Sequence, residues 1–444
     1  MKYQAYTKYR PSRLEWLDII PEHWDVTRLK LLSRRYSGGT PSKDKNEYWQ
    51  DGTIPWLNSG SVNQGTITRP STYITELGLV ESSAKWIPEE SIIIALAGQG
   101  KTKGKAAYTT FKTTCNQSMG VVVFEKDHPR FMYWWLTSQY RNIRGMASDD
   151  GRDGLNLEMI GTIPCPLPSI EEQRQIATFL DYKTEQIDLL IKKKKELIKK
   201  LEEKRFAVIT RAVTFGLEQN VELKTSTKDW LSFIPKNWEV SPLKWLSKRY
   251  SGGTPDKSKS EYWIDGTIPW LNSGTVNQGD VDTPSAFITE EAFLNSSAKW
   301  IPSGAIVIAL AGQGKTKGAA AYMTIKATCN QSMAVIVFDE KHYSRFMYWW
   351  LVSQYRNIRG LASEDGRDGL NLEMIGSIPC PIPPYNEQLL ITNFIDDFEQ
   401  KRKNILSKLE SAITTLELYR STVIFSAVTG KIDVRKIDLS REAI

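Results

Sequence analysis

The chain is written twice. Residues 36–65, YSGGTPSKDKNEYWQDGTIPWLNSGSVNQG, return at 250–279 as YSGGTPDKSKSEYWIDGTIPWLNSGTVNQG, with 25 identities in 30 positions at a shift of 214. The same shift aligns SSAKWIP, IALAGQGKTKG and CNQSM. After one inserted residue near His342 it becomes 215 and aligns FMYWWL, QYRNIRG, GRDGLNLEMIG and IPCP. Trp16, Pro21 and Trp24 match Trp230, Pro235 and Trp238, so the frame reaches the start of each copy. A period this long rules out a solenoid of short units, and each copy must hold at least one domain with its own core. The 444 residues are therefore two copies and a short tail, not the three equal domains that length alone suggests.

Each copy has two parts. Residues 1–168 and 217–383 are rich in Gly, Pro and Trp, with short β-like runs such as Ser91–Leu96 and Gly120–Phe124 and a helical stretch at Arg130–Ile143. This is the pattern of a loop-rich α+β domain. Residues 169–216 and 384–430 change to helical spacing, leaving 431–444 as a C-terminal tail. The first helix opens with Ser169-Ile-Glu-Glu172, an S-x-x-E capping box. Its heptad seam runs Ile176, Leu180, Lys183, Ile187, Leu190, Lys194, Leu197, Leu201, Lys204, Val208. The second seam runs Ile391, Ile395, Phe398, Arg402, Ile405, Leu409, Ala412, Leu416, Tyr419, Val423. Such apolar heptads predict coiled-coil pairing. Chain order then sets direction. A parallel pair would need a linker spanning a rod of about 60 Å, which the sequence lacks. The expected fold is α+β: two similar globular domains separated by a long antiparallel two-helix coiled coil, a pseudo-twofold internal repeat.

Composition excludes several classes. Three His cannot build a zinc-rich protein, and Cys115, Cys165, Cys329 and Cys380 form no CxxC. Lone cysteines in so large a chain read as buried small hydrophobes of a reducing cytoplasm. No apolar run approaches 18 residues and the N-terminus has no apolar h-region, so a cytoplasmic protein away from membranes is expected. The formal charge of +7 is uneven: residues 1–216 carry 32 basic and 25 acidic groups, and 217–444 carry 26 of each. Net charge is thus no argument for a nucleic-acid partner.

Certain phrases carry a resemblance. IPEHWDVTRLK (20–30) and IPKNWEVSPLK (234–244), SGGTP followed by Tyr-Trp and IPWLNSG, PCPLPSIEEQRQIATFLD, and AVTGKIDVR at 427–435 occur in order along nearly the whole chain. With the layout of globular domain, long helix, globular domain, long helix, they resemble the specificity subunit of type I DNA restriction–modification systems. The resemblance implies that 1–168 and 217–383 are target-recognition domains. It implies a non-catalytic subunit that reads a bipartite site in double-stranded DNA and carries two methyltransferase subunits, with restriction and translocase subunits in the full complex. No cofactor is expected on this chain; S-adenosylmethionine, ATP and Mg would belong to the partners. It also favours partner binding, over mere solvation, for the run Lys192–Lys195.

Two motif matches point elsewhere. Ala95-Leu-Ala-Gly-Gln-Gly100-Lys101-Thr102, repeated at Ala309–Thr316, fits a relaxed Walker A pattern, but the KGKAAYTTFKT that follows does not look like an opening helix. A basic turn whose amides and lysines meet DNA phosphates is the better reading. Ile382-Pro-Pro-Tyr385 is similar to the base-gripping motif of amino-methyltransferases but lacks its Asn or Asp, and Pro383 and Pro384 are simpler as a helix start.

DNA readers are sought where both copies keep Arg, Lys, Asn or Gln in a Gly-rich context. These are Asn58, Gln99, Lys101, Lys103, Asn116, Gln117, Arg141, Arg144, Arg152 and Asn156. Their mirrors are Asn272, Gln313, Lys315, Lys317, Asn330, Gln331, Arg356, Arg359, Arg367 and Asn371. At each position a residue satisfying its own turn competes with a DNA contact. The tryptophans are expected to fill cores. Like domains in a twofold arrangement read like sequences on opposite strands, so an interrupted palindrome with equal or near-equal half-sites is expected. The stretch 66–81 differs from 280–295 and would split the half-sites if it touched DNA. Two other classes remain: a tandem-repeat carbohydrate- or protein-binding module, and a P-loop nucleotide-binding protein.

Overall fold

Ile92–Ala95 is the strand on which each copy's architecture turns, because all four residues are buried. Side chains alternate across a strand, and here Ile92 and Ile94 enter one core while Ile93 and Ala95 enter another. The computed structural model describes every residue except 1, 2, 15, 99, 148–153, 229, 365–368, 438 and 440–444, and the side chains of 13, 14, 227, 228, 363 and 364. The chain forms two compact units, residues 1–194 with 410–444 and residues 195–409.

In the first unit a five-stranded sheet has the order Ser33–Ser37, Met119–Phe124, Ile92–Ala95, Ala106–Thr109, Thr66–Ile67. Only the last pair is parallel. One face packs on the helix Pro129–Ser138, whose Phe131, Met132, Trp134 and Trp135 are buried with Ile92, Ile94, Val122 and Phe124. The other face carries Ile93, Ala95 and Val121, which share a core with Cys115 of a separate sheet. A second sheet, Thr114–Cys115, Ile54–Leu57, Thr72–Ile74, and the hairpin Tyr9–Leu14 with Leu17–Pro21 complete the strand framework with the pair Asp25–Arg28 and Pro164–Leu167. The second unit repeats this plan with Ser247–Ser251, Met333–Phe338, Ile306–Ala309, Ala320–Met323 and Asp280–Val281 in the same order.

The expected helical stretch Arg130–Ile143 is two helices, Pro129–Ser138 and Tyr140–Gly145, meeting at Gln139. All four cysteines are free and buried. Burial pushes the Cys115 thiol up to about 12, which leaves it protonated and inert. Trp24, Trp135, Trp238 and Trp350 are fully buried, whereas Trp245 is exposed.

The long helices span Ile170–Phe215 and Tyr385–Val428. Each unit takes part of both. In the first, Ile176 and Leu180 share a core with Val423, Ile424 and Ala427, and Arg420 pairs with Asp188 at 2.9 Å. In the second, Ile209 and Val213 meet Ile391 and Ile395, and Arg205 pairs with Glu399 at 3.1 Å. In both, residue numbers rise along one helix as they fall along the other, so the segments run antiparallel. Each helix ends at a glycine in the left-handed region, Gly216 at φ 75° and Gly430 at φ 69°.

Part of the expected seam needs correction. Ile176, Leu180, Lys183, Ile187, Ile391, Ile395, Leu409 and Val423 are buried, and Leu190, Leu201, Val208, Phe398 and Leu416 half-buried. Leu197, Ile405 and Tyr419 are exposed, as is Lys204. Their neighbours Ile198, Leu406 and Arg205 are more covered. One line of each heptad therefore lies one residue later, through Thr184, Ile191, Ile198 and Arg205, and through Glu399, Leu406, Ile413 and Arg420. Apolar doublets such as Leu197-Ile198 leave the choice open to periodicity, and paired charges at 205, 399 and 420 hide the true line.

Two further expectations change. Ser169 does cap the first helix, accepting from the Glu172 amide at 3.3 Å. The Glu172 carboxylate instead accepts from Tyr6 Oη at 2.5 Å and Trp24 Nε1 at 3.2 Å, with His23 Nε2 at 3.0 Å. The segment after Gly430 is no loose tail, since Ile432 and Val434 are buried in the first unit's core.

Candidate nucleic-acid interface

The turn between strands Ile92–Ala95 and Ala106–Thr109 carries Lys101 and Lys103. It joins antiparallel neighbours, and no helix follows it. A phosphate loop needs helix N-terminal amides at that place, so the Walker-like match has no nucleotide site behind it. The turn is braced from the helix Tyr140–Gly145: Arg144 Nη1 donates to Gly100 O at 2.7 Å and Tyr140 Oη to Lys101 O at 2.9 Å. The second unit repeats the brace, with Arg359 Nη1 donating to Gly314 O at 2.6 Å and Tyr355 Oη to Lys315 O at 3.1 Å. Consuming these carbonyls inside the turn leaves Lys101 and Lys315 exposed on it. Lys103 and Lys317 are half-buried, and Gln313 is exposed. Arg141 and Arg356 are exposed on the bracing helices.

The sequence candidates thus divide. Arg144 and Arg359 hold the turn. Asn156 and Asn371 cap the helices Leu157–Thr162 and Leu372–Ser377, accepting from Met159 N at 2.8 Å and Met374 N at 2.9 Å. Gln99, Arg152 and Arg367 lie outside the described residues.

A different cluster forms around the other sheet. Asn58, Asn116 and Gln117 line one cleft of about 520 Å³ with Thr40, Lys43, Asn46 and Thr72, and none of its lining residues is acidic. Trp49 and Trp56 form one wall, edge to face at 5.2 Å. Their indole N–H groups donate to Ser42 O and Gly39 O, so the rings are fixed. Asn58 Oδ1 accepts from Gly60 N at 2.9 Å, and Asn272 Oδ1 from Gly274 N at 2.8 Å. Thr40 donates to Gln117 Oε1, and Thr254 to Gln331 Oε1. Asn330 Oδ1 accepts from Ser332 N at 3.1 Å. The oxygens of Asn58, Gln117 and their counterparts are thus engaged within the protein, whereas Asn116 Oδ1 is buried without a partner among the described residues. What remains is a donor-rich surface suited to acceptors on a polyanion.

One pair of residues per unit escaped the sequence filter. Arg130 bridges Asp181 at 2.8 Å and Thr66 Oγ1 at 2.9 Å, and its guanidinium lies 4.8 Å from the ring centres of Tyr108 and Tyr133. Arg345 does the same with Asp396 at 3.0 Å, Tyr322 and Tyr348, and adds Asp280. These clamps fasten each sheet-and-helix body to its long helix. Burial opposes the charge on Arg345, but the Asp280 and Asp396 carboxylates outweigh it and raise its pKa further. Burial, with Asp280 nearby, pushes the Tyr348 phenol up to about 12, keeping it neutral. Retention of both partners in the two copies was a usable signal, but the filter demanded a Gly-rich context. Among the described residues no group of His, Cys, Asp and Glu could hold a metal ion, and no helix is long and apolar enough to cross a membrane.

Comparison with known proteins bears on all of this. The family described as type I restriction modification DNA specificity domain matches at residues 21–200 and again at 235–415. The EcoR124I/EcoR124II specificity subunit of Escherichia coli is 26% identical, covering 70% of this chain and 71% of that one. The MjaVIII specificity subunit of Methanocaldococcus jannaschii is 24% identical over 94% and 95%. A structure described as the basis of complex assembly and conformational transition of the type I R-M system superposes with a TM-score of 0.73 at 15% identity, covering 93% of this chain and 99% of that one. The HsdS subunit from Thermoanaerobacter tengcongensis gives a TM-score of 0.54 at 15% identity, covering 93% and 98%.

Proposed function

The chain belongs to the type I restriction modification DNA specificity family, and from that premise we propose that it reads a bipartite duplex site for a methyltransferase and nuclease that reside on other chains. It is the non-catalytic specificity subunit of such a system, and neither the nucleotide-binding nor the carbohydrate-module reading has support. The observation that carries the finer reading is the doubling of one braced basic turn and one set of loop-held amides on the same strand order in both units. Two equivalent readers imply two equal or nearly equal short half-sites. Arranged as the chain order and antiparallel helices suggest, they address opposite strands, giving an interrupted palindrome with half-site centres about one turn or slightly more apart.

In this reading two methyltransferase subunits and the restriction and translocase subunits dock on the chain in the cytoplasm. S-adenosylmethionine, ATP and Mg are held by those partners. The test is methylome mapping in a host expressing this chain with its modification partner. Two matching half-sites around a non-specific spacer are expected; clearly unlike half-sites would sink the palindrome. Specific binding by the purified complex should also fall steeply with salt.

A further inference from the structure

The amide cleft supports a sharper assignment, which rests on the DNA-reading function above. Asn58 caps the short helix Ser59–Gln64 through its Oδ1, and Asn272 caps Ser273–Gln278 in the same way. A backbone N–H can only donate, so in each case the oxygen must face the turn. The Nδ2 amide is left with both N–H donors unspent among the described residues. The side chain is exposed in both units, yet its rotamer is held by the cap at 2.9 and 2.8 Å. An exposed amide held in this way turns its oxygen to the turn and its two N–H donors outward. In the first unit it lines a cleft with Asn116 and Gln117 and without a carboxylate. Preorganisation of this kind matters because an unfixed Asn meets donor and acceptor edges equally well, whereas a fixed one discriminates.

We propose that Asn58 and Asn272 are base-reading residues that donate to an acceptor on the major-groove edge of one base pair in each half-site, namely purine N7, guanine O6 or thymine O4. Adenine N6 and cytosine N4, which are donors, are disfavoured opposite them.

The discriminating substitution is Asn58→Asp. Asp caps a helix as well as Asn does, so the turn to Gly60 persists while the displayed donor becomes a charged acceptor. The assembled methyltransferase complex is used with a duplex carrying the site mapped for the wild-type chain, duplexes altered one base pair at a time, and an unrelated duplex. Asn58→Asp should weaken binding to the mapped site by roughly tenfold or more, as expected for a lost base contact. The loss should be confined to one base pair of one half-site, and Asn272→Asp should strike the other. Asn58→Ser, which also caps, should relax selectivity at the same base pair, with the thermal midpoint kept. Equal weakening on mapped and unrelated duplexes would mean a backbone contact and would overturn the assignment. So would wild-type selectivity in Asn58→Asp and Asn58→Ser together. If the wild-type complex itself methylates no bipartite site, the function fails and not merely this residue.

Discussion

The two units differ most where they are closed. In the second, the peptide chain runs unbroken from Gly216 at the end of the first long helix to the strand Leu223–Lys228. In the first unit the equivalent place brings residues 4–9 beside residues 430–435, and backbone and side-chain contacts join them. Asp433 N donates to Gln4 O at 2.8 Å, and Tyr9 Oη to Gly430 O at 2.9 Å. Tyr6 donates to Glu172, and the Arg435 guanidinium lies 4.9 Å from the Tyr6 ring. Asn220 and Asn237 occupy the positions of Tyr6 and His23 in the second copy, and Glu387 there accepts from Trp238 Nε1 at 3.1 Å. Burial and the Glu172 hydrogen bond raise the Tyr6 pKa far above its ordinary value, so the phenol stays a donor. Segments adjacent in sequence are kept together by the chain, whereas segments far apart in sequence must be held by burial and hydrogen bonds. The first copy has acquired both.

Removing the latch is the largest expected perturbation. Truncation after Gly430 deletes Ile432 and Val434, which are 2% and 4% exposed, together with the Asp433 and Arg435 contacts. Two buried aliphatic side chains at about 1.5–3 kcal/mol each predict a loss of roughly 3–6 kcal/mol from the first unit. Hydrogen exchange should show faster opening of Ile92–Ala95, with Ile306–Ala309 unchanged. If both strands keep their protection, the latch is not what closes the first unit.

A second contrast lies along the helix pair. In the second unit Glu399 sits between Arg205 and Arg402, and Arg402 also reaches Glu202. Thr184 and Ile187 stand at the corresponding places in the first unit, and there the equivalent of Arg205, Arg420, turns to Asp188. Glu399→Ala leaves Arg402 half-neutralised in a buried position. We expect about 2–4 kcal/mol lost from the second unit, reduced from the fully buried limit because Arg205 is partly exposed. Thr184→Ala should cost about 1 kcal/mol in the first. The pH dependence follows. Burial alone would raise the Glu399 pKa, but the Arg402 and Arg205 guanidiniums overcome it and hold it below the usual value. A depressed carboxylate stabilises fully above its unfolded pKa of about 4.5 and loses that contribution as pH falls through the lower folded value. Denaturant midpoints taken between pH 6 and 3 should therefore fall for the second unit, and Glu399→Gln should flatten that slope.

These contrasts also show what a sequence can carry. The repeat was legible from residue identity alone, and the strand Ile92–Ala95 and the antiparallel helices because each rests on a pattern of apolar residues that burial imposes. The clamp of Arg130 and Asp181 was not, since its partners lie 51 residues apart and only the packed helix brings them together. Nor was the role of Arg144, whose Gly-rich surroundings suggested DNA and whose guanidinium instead donates to Gly100 O and Lys103 O of the turn. Asn58 was legible as a residue type, but its fixed orientation needed the Gly60 contact. The seam was legible in larger part. Heptad spacing found one line of contacts, while doublets such as Ile405-Leu406 and the ionic positions 205 and 399 concealed the other.

The clamp offers the mildest test, because the copies differ there by one residue. Thr66 accepts one hydrogen bond from Arg130, where Asp280 contributes a carboxylate to Arg345. Thr66→Asp should give the first unit the second unit's geometry, with a gain of no more than about 1 kcal/mol, since the aspartate would remain partly exposed and salt-screened. Asp280→Thr should cost the second unit a similar amount, because Arg345 keeps Asp396 and three aromatic faces. Equal and opposite shifts in the two unfolding midpoints, both shrinking in high salt, would make position 66 and its counterpart interchangeable parts of one clamp. A shift in half-site preference on swapping them would instead bring this part of 66–81 into contact with DNA, where the clamp leaves it a structural role.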